Sequence, residues 1–312
     1  MDYYAPTGVH KESLLVSQVS RTLEADIRGK FLQLVQWFNG HHRAIIALSG
    51  GVDSSVVAAV ANLCLGDNAL GVSANTATTP VEEIEAATDI AKKIGIAHRI
   101  IVYDDLANIK IVQNQPDRCY HCRRELSSEL NKIAVEESFD LILDGTNADD
   151  LNAHRPGAVA LKEAGVRSPL AEVGLRKSEI RSIAKALELP NSERPSNACL
   201  ASRFPYGQLI TNIGVSRVAQ AERFIRETSG IRQLRVRDHD GIARLEIEKN
   251  ERKYLFDEHL MNVIGEKLHS LGYKYVTLDL IGYRTGSLDE QLEKQTTPIH
   301  LKGFSESESQ TQ

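Results

Sequence analysis

Apolar residues recur at Leu15, Val19, Leu23, Ile27, Phe31 and Val35, a helical stripe that predicts one helix running through Gly29 and serving only as a packing face. The next signal is different. Ala44 to Leu48 is a short aliphatic run behind Arg43, cut off by Ser49-Gly50-Gly51. That pattern predicts a buried parallel strand feeding a tight turn. Residues 56–66 predict the following helix, with Gly66 as its stop. Further strands are expected at 69–75, 98–103 and 141–143, and helices at 81–94 (ended by Gly95), 121–138 and 177–187 (closed by Pro190). Strands alternating with helices predict an α/β fold, a parallel sheet covered on both faces. Ligands of such sheets sit at the strand C-terminal ends, where the Ser49 loop, Ser73 to Asn75 and the Asp144 segment fall.

The pattern shifts across 190–207, where prolines at 190, 195 and 205 mark a junction. Beyond it come a helix at 215–227, alternating strands at 234–237 and 243–247 around Asp238-His-Asp-Gly241, a helix at 251–271 and a strand at 275–280. The expected division is 1–194 for the nucleotide-loop domain, 195–294 for a smaller α+β domain, and a disordered polar tail at 295–312.

Composition narrows the class. The chain of 312 residues is 42% hydrophobic, and 37 basic against 42 acidic residues leave a formal charge of -5. This predicts a globular protein and counts against a broad nucleic-acid footprint, leaving room for a local basic patch. No apolar run is long enough to span a membrane, and Met1-Asp-Tyr-Tyr-Ala-Pro lacks a signal-peptide pattern. Four cysteines do not make a disulfide scaffold, so a reducing cytoplasm is the expected compartment.

The Ser49 turn has the chemistry of a phosphate cradle. Gly50 and Gly51 let the backbone approach an anion, helix N-terminal amides point at it, and Ser49, Ser54 and Ser55 add hydroxyls. Asp53 is out of place there unless a metal or a helix cap needs it. The string is not the lysine-bearing Walker loop; it resembles the Ser-Gly-Gly-x-Asp-Ser loop of ATP pyrophosphatases, enzymes that adenylate a substrate and release pyrophosphate. Asp144-Gly-Thr-Asn-Ala-Asp-Asp150 follows a strand. Its acids Asp149 and Asp150 suit Mg²⁺, while Gly145 and Thr146 suit a close nucleotide; a capped, solvated turn is the plain alternative.

Cys119-Tyr-His-Cys122 is a C-x-x-C pair, and Cys199 lies at the junction. Spacing alone leaves three options open. One is an iron–sulfur cluster with an open iron, one is dithiol chemistry, and one is zinc completed by His121 or His154. Cys64 reads as a small core residue. Arg118, Arg123 and Arg124 flank the pair and would lower a thiol pKa, hold an anion, or simply face solvent. Arg203, Arg235 and Arg237 are anion candidates. Arg235 and Arg237 share one strand face, and Glu246 on the opposing strand is placed to pair with them.

Cys199-Leu-Ala-Ser-Arg-Phe-Pro-Tyr-Gly207, behind Pro195-Ser-Asn-Ala198, joins the two motifs above. Over roughly residues 15–290 the combination resembles the ATP-dependent sulfur transferases of the nickel-pincer nucleotide pathway, which supplies lactate racemase. The resemblance implies a substrate-binding and oligomerisation role for the second domain, and a homo-oligomer, a hexamer. It implies ATP and Mg²⁺ as cofactors. The substrate would be a pyridinium dicarboxylate mononucleotide, adenylated and then converted to a thiocarboxylate. Arg235, Arg237 and Glu246 would meet that nucleotide, and Cys199 would handle sulfur. Members with only the Cys199 equivalent give up their own sulfur. Those that also carry a C-x-x-C, as Cys119 and Cys122 do here, resemble [4Fe-4S] enzymes whose open iron carries hydrosulfide. Rival readings are a tRNA thiolase, disfavoured by the acidic charge, and an amide-forming NAD synthetase, which has no need of three further cysteines.

Overall fold

A computed structural model describes residues 7–152, 156–195, 197–284 and 286. His154 and the tail from 295 lie outside them. Helices α1 (Thr7–Thr22) and α2 (Ala25–Trp37) precede β1 (Ala44–Ala47), α3 (Val52–Leu65), β2 (Ala69–Asn75), α4 (Val81–Ile94) and β3 (Ala97–Val102). Next come α5 (Ile109–Val112), α6 (Arg118–Glu136), β4 (Leu141–Leu143), α7 (Pro156–Glu163), α8 (Pro169–Glu172) and α9 (Lys177–Ala186). Among the described residues the first sheet has the order β3-β2-β1-β4, with every pair parallel. Its centre, β1, is buried from Ala44 to Ile46, and helices pack on it from both sides around Ile46 and Val57 on one face and Ile45 and Leu130 on the other.

The expected single helix over 15–35 is two. An exact four-residue spacing advances about 40° per step around a straight helix, so six such positions cannot share one face. The chain breaks at Glu24, which is extended, and each half then buries its own apolar residues. Helix α3 starts four residues earlier than expected, so Asp53, Ser54 and Ser55 lie in its first turn.

The second unit contains α10 (Asn212–Ser229), β5 (Leu234–His239), β6 (Ile242–Ile247), α11 (Glu258–Ser270) and β7 (Tyr275–Leu278). Its sheet runs β5-β6-β7, antiparallel and then parallel. Asp240 and Gly241 both take positive φ, 49° and 89°, as a tight two-residue hairpin turn requires. The expected helix over 251–271 is interrupted because the Asp257 side chain accepts from Leu260 N–H and caps a new start for α11. A separate apolar cluster surrounds Leu234, Leu245 and Leu268, and a small one around Leu200, Phe204 and Val218 lies under the Cys199 loop. No helix of the described residues is long and apolar enough to cross a membrane.

One ion pair ties these parts together. Glu222 on α10 is fully buried, accepts from Arg203 at 2.8 Å and 2.9 Å, and also accepts from the Val236 amide of β5 at 3.0 Å. Burial works to raise the Glu222 pKa. Arg203, then Arg226 and Arg235, outweigh it and hold the carboxyl at about 2 against an ordinary 4.5. A depressed carboxyl contributes stability that is complete above pH 4.5 and is lost as pH falls towards about 2. At about 1.4 kcal/mol per pKa unit this amounts to roughly 3 kcal/mol. Urea midpoints measured from about pH 6 to about pH 3 should therefore fall steeply. Glu222→Gln should flatten that dependence and lower stability throughout by about 3–5 kcal/mol, because Arg203 is left buried and uncompensated.

Candidate active site

The Ser49 loop sits where β1 ends. Gly50 takes φ +78°, and a Cβ there would stand 2.5 Å from the Glu83 carbonyl, so only glycine fits. Side chains shape the turn from inside. Ser54 and Ser55 donate to the Gly51 carbonyl at 3.1 Å and 2.8 Å, the Ser49 amide donates to Ser54 Oγ at 3.2 Å, and Ser49 Oγ lies 3.1 Å from Ser54 Oγ. Asn191 donates to the Gly50 carbonyl and to Ser55 Oγ. The α3 N-terminus has no side-chain cap, so its first amides and its dipole face the turn.

Asp53 neither caps the helix nor faces open water. Its carboxylate receives Lys177 Nζ at 2.5 Å and Asn147 Nδ2 at 3.4 Å on one oxygen, while Oδ1 is buried without a partner. Burial is the main reason its pKa is raised. Lys177 opposes the shift and the Asp150 charge adds to it. A buried orphan carboxylate oxygen beside a second carboxylate is a donor set that suits a hard divalent cation.

The Asp144–Asp150 segment differs in detail from expectation. A Cβ on Gly145 would meet Ser54 N at 2.6 Å, so the close approach this glycine permits is to α3. Thr146 Oγ1 donates to Asp144 Oδ2 at 2.5 Å, and Ser168 Oγ donates to Asp144 Oδ1 at 2.6 Å. Asp149 Oδ2 accepts the Lys177 amide at 2.9 Å and so holds the start of α9. Asp150 Oδ2 accepts the Asn147 amide at 3.2 Å. Ser73 is buried and donates to the Leu48 carbonyl at 2.6 Å, with His98 Nε2 2.8 Å away.

Cys119 and Cys122 occupy the first turn of α6, three residues apart and on one face. Cys199 sits in extended backbone just before a 3₁₀ turn at Leu200–Arg203. The fold brings all three into one electrostatic neighbourhood. Burial, and then the charges of Cys199 and Cys119, push the Cys122 thiol up to about 12, with Arg123 opposing. Buried Asp105 is felt there too; its Oδ2 accepts from Thr76 and Thr78, while Oδ1 has no partner. His121 pairs with Asp117 across the exposed side of the helix, and Cys64 packs at the edge of the first core.

The Cys199 loop is held by guanidiniums. Arg203 donates to the Ala198 and Cys199 carbonyls at 2.7 Å and 3.1 Å, to Ser202 Oγ and Asn197 Oδ1, and to Glu222. Arg237 bonds Glu246 at 2.8 Å and the Ser202 carbonyl at 2.5 Å. Arg118 reaches the Ala201 carbonyl at 3.0 Å. Arg203 is therefore consumed in holding the loop, a different place from the anion contact its position suggested. Arg235 bonds the Leu234 carbonyl and lies over the Tyr283 ring, and burial together with Arg203 lowers its pKa to about 10.

One segment joins the two halves of the site. The Leu200 amide donates to the Thr78 carbonyl at 2.9 Å, while the Glu83 carbonyl backs Gly50 and its carboxylate takes Arg194 at 2.6 Å and Asn197 at 3.2 Å. Residues 78–83 thus touch both the nucleotide turn and the cysteine loop. Lys177, Asn191, Arg194 and Glu222 escaped the sequence reading. Glu222 did leave a trace: it is a charge on the apolar stripe Val215, Val218, Ile225, which a buried ion pair explains.

Comparison with known proteins agrees with this geometry. Residues 27–129, which hold the turn and α3, match the NAD synthase family. A pyridinium-3,5-bisthiocarboxylic acid mononucleotide synthase of Lactiplantibacillus plantarum is 36% identical over 86% of this chain and 97% of its own length. An uncharacterised protein of Synechocystis is 40% identical over 86% of this chain and 100% of its own. A component of the glutamine-hydrolysing GMP synthase of Methanococcus maripaludis is 33% identical over about half of each chain, 48% and 52%. With 36% identity along almost the whole length of the Lactiplantibacillus protein, the chain belongs to the pyridinium-3,5-bisthiocarboxylic acid mononucleotide synthase family of ATP-dependent sulfur transferases.

Proposed function

We propose that this chain adenylates a carboxylate of pyridinium-3,5-biscarboxylic acid mononucleotide with ATP and converts it to a thiocarboxylate. The carrying observation is the shared segment, residues 78–83, which backs Gly50 and bonds the Cys199 loop. A free carboxylate is a poor acyl donor. Its oxygen attacks the α-phosphorus, the α–β phosphoanhydride bond breaks, and pyrophosphate leaves. The uncapped α3 amides with Ser49 and Ser54 receive that charge. Asp53 and Asp150 are the proposed Mg²⁺ ligands, with Asp149 beside them, and Lys177 neutralises Asp53 when the cation is away. A sulfur nucleophile then forms the C–S bond while the bond to AMP breaks. Arg235, Arg237 and Glu246 line the second unit's side of the site. Arg235, depressed by burial and by Arg203, gains from an anionic phosphate placed near it.

The three thiols fit a [4Fe-4S] cluster. Among the described residues no three His, Cys, Asp or Glu side chains are gathered tightly enough to hold a single metal ion. A cubane instead spreads its thiolates over separate irons, and it offsets the repulsion and desolvation that keep Cys122 protonated. Cys119, Cys122 and Cys199 would hold it, and when bound it supplies one iron open to an exogenous sulfur ligand. Self-association is proposed through the open edge of the second sheet, where Tyr275, Leu280 and Ile281 expose apolar surface.

The test is anaerobic turnover with ATP, Mg²⁺, sulfide and the dicarboxylate. Pyrophosphate release with the O-to-S mass change, at more than one product per chain, is expected; one product per chain with loss of sulfur from Cys199 would refute the cluster route. Cys119→Ala should bind less than half the wild-type iron, measured with acid-labile sulfide. Lys177→Met should cost about 2 kcal/mol by leaving the Asp53 charge unpaired, discounted for the partial exposure of Lys177. The double variant with Asp53→Asn should recover most of that loss in urea unfolding.

A further inference from the structure

Arg118 is the first residue of α6 and is 3% exposed. Among the described residues no carboxylate forms an ion pair with it, an expensive state for a buried guanidinium. Its donors go elsewhere. Nη1 bonds Asn114 Oδ1 and the Ala201 carbonyl (3.0 Å), and Nη2 faces Cys119 Sγ at 3.8 Å. The same guanidinium thus spans the C-x-x-C helix and the Cys199 loop, bonding a carbonyl two residues after Cys199 and facing the sulfur of Cys119. The acceptors around this charge are therefore an amide oxygen, a backbone carbonyl and a sulfur.

Asn114 makes the arrangement rigid. It is fully buried, sits at φ 52°, and donates to the Phe204 and Pro205 carbonyls at 3.2 Å and 2.7 Å, while its own carbonyl accepts from the Gly207 amide at 2.9 Å. Asn114 and Arg118 together staple residues 114–119 to residues 201–207. The C-x-x-C helix and the Cys199 loop are distant in sequence and share no strand pairing. The planar fork is suited to this task because it holds several acceptors in fixed directions, which an ammonium cannot.

We propose that Arg118, anchored by Asn114, is a positioning residue that registers Cys119 and Cys122 against Cys199 and supplies the buried positive charge that faces their sulfurs. The inference rests on the cysteine-site reading above only for what the thiols hold. A group of three thiolates, or an anionic cluster on them, is stabilised by that charge. A reduced cluster carries one more negative charge than an oxidised one, so Arg118 favours the reduced form and raises the reduction potential.

The experiment compares the full-length wild type with Arg118→Met, Arg118→Lys and Asn114→Gly; glycine tolerates the left-handed backbone at 114. Two readouts are used. The first is iron and sulfide per chain after anaerobic reconstitution, with the reduction potential of the bound cluster followed by electron paramagnetic resonance. The second, on metal-free protein, is the yield of peptides joining α6 to Cys199 through a short bifunctional maleimide. Arg118→Met should retain less than half the iron, and its residual cluster should have a lower potential. Arg118→Lys should keep the wild-type potential but lose cross-link yield at least twofold. If Arg118→Met does not fold, Arg118→Lys and Asn114→Gly carry the test, each with a twofold loss of cross-link expected. Wild-type iron, potential and cross-link yield in the folded variants would overturn the proposal. A wild type that takes up no iron would refute the cluster instead, and the cross-link result would still decide the registering role.

Discussion

Buried guanidiniums must find acceptors, and that requirement organises the centre of this molecule. Arg203, Arg237 and Arg118 enter from the junction, β5 and α6, and all spend donors on backbone carbonyls between Ala198 and Ser202. A loop of that length would otherwise present its carbonyls to water. Here its carbonyls are taken from three sides and the chain is extended at Cys199, with Glu222 closing the charge on Arg203. Leaving this arrangement would strand the charge of Arg203 in the interior, which favours it over alternatives.

The same logic operates at the nucleotide turn with opposite sign. The α3 N-terminus gathers donors without acceptors, and the hydroxyls of Ser54 and Ser55 turn inward to the Gly51 carbonyl. Asp53, an acid placed in this positive field, is balanced by Lys177 from a helix 124 residues later. The two charge systems meet on residues 78–83, so the Ser49 turn and the Cys199 loop are built against a common wall.

Sequence patterns and structure agree where a short range of residues decides the outcome. Strands 69–75 and 141–143 and helix 81–94 with its Gly95 stop are found as the periodicities predict, because aliphatic runs between turn residues leave few alternatives. The boundaries moved where the four-residue stripe outran a straight helix, at Glu24, where local capping restarted a helix, at Asp257, and where the turn continued directly into α3. The short helices α5, α7 and α8 carry too few residues for a period to show.

The chain by itself determined the parallel sheet, the glycine turn before α3 and the presence of two cysteine motifs, since each is written in contiguous residues whose chemistry is local. Tertiary structure alone decided which distant side chains share a pocket. Lys177 against Asp53 and Arg118 against the Ala201 carbonyl are pairings across long stretches of chain, and Glu222 against Arg203 joins the junction to α10. Burial, which no string of letters displays, is what makes Arg203 and Arg118 clamps of the cysteine loop, because a desolvated guanidinium takes the nearest acceptor the fold offers.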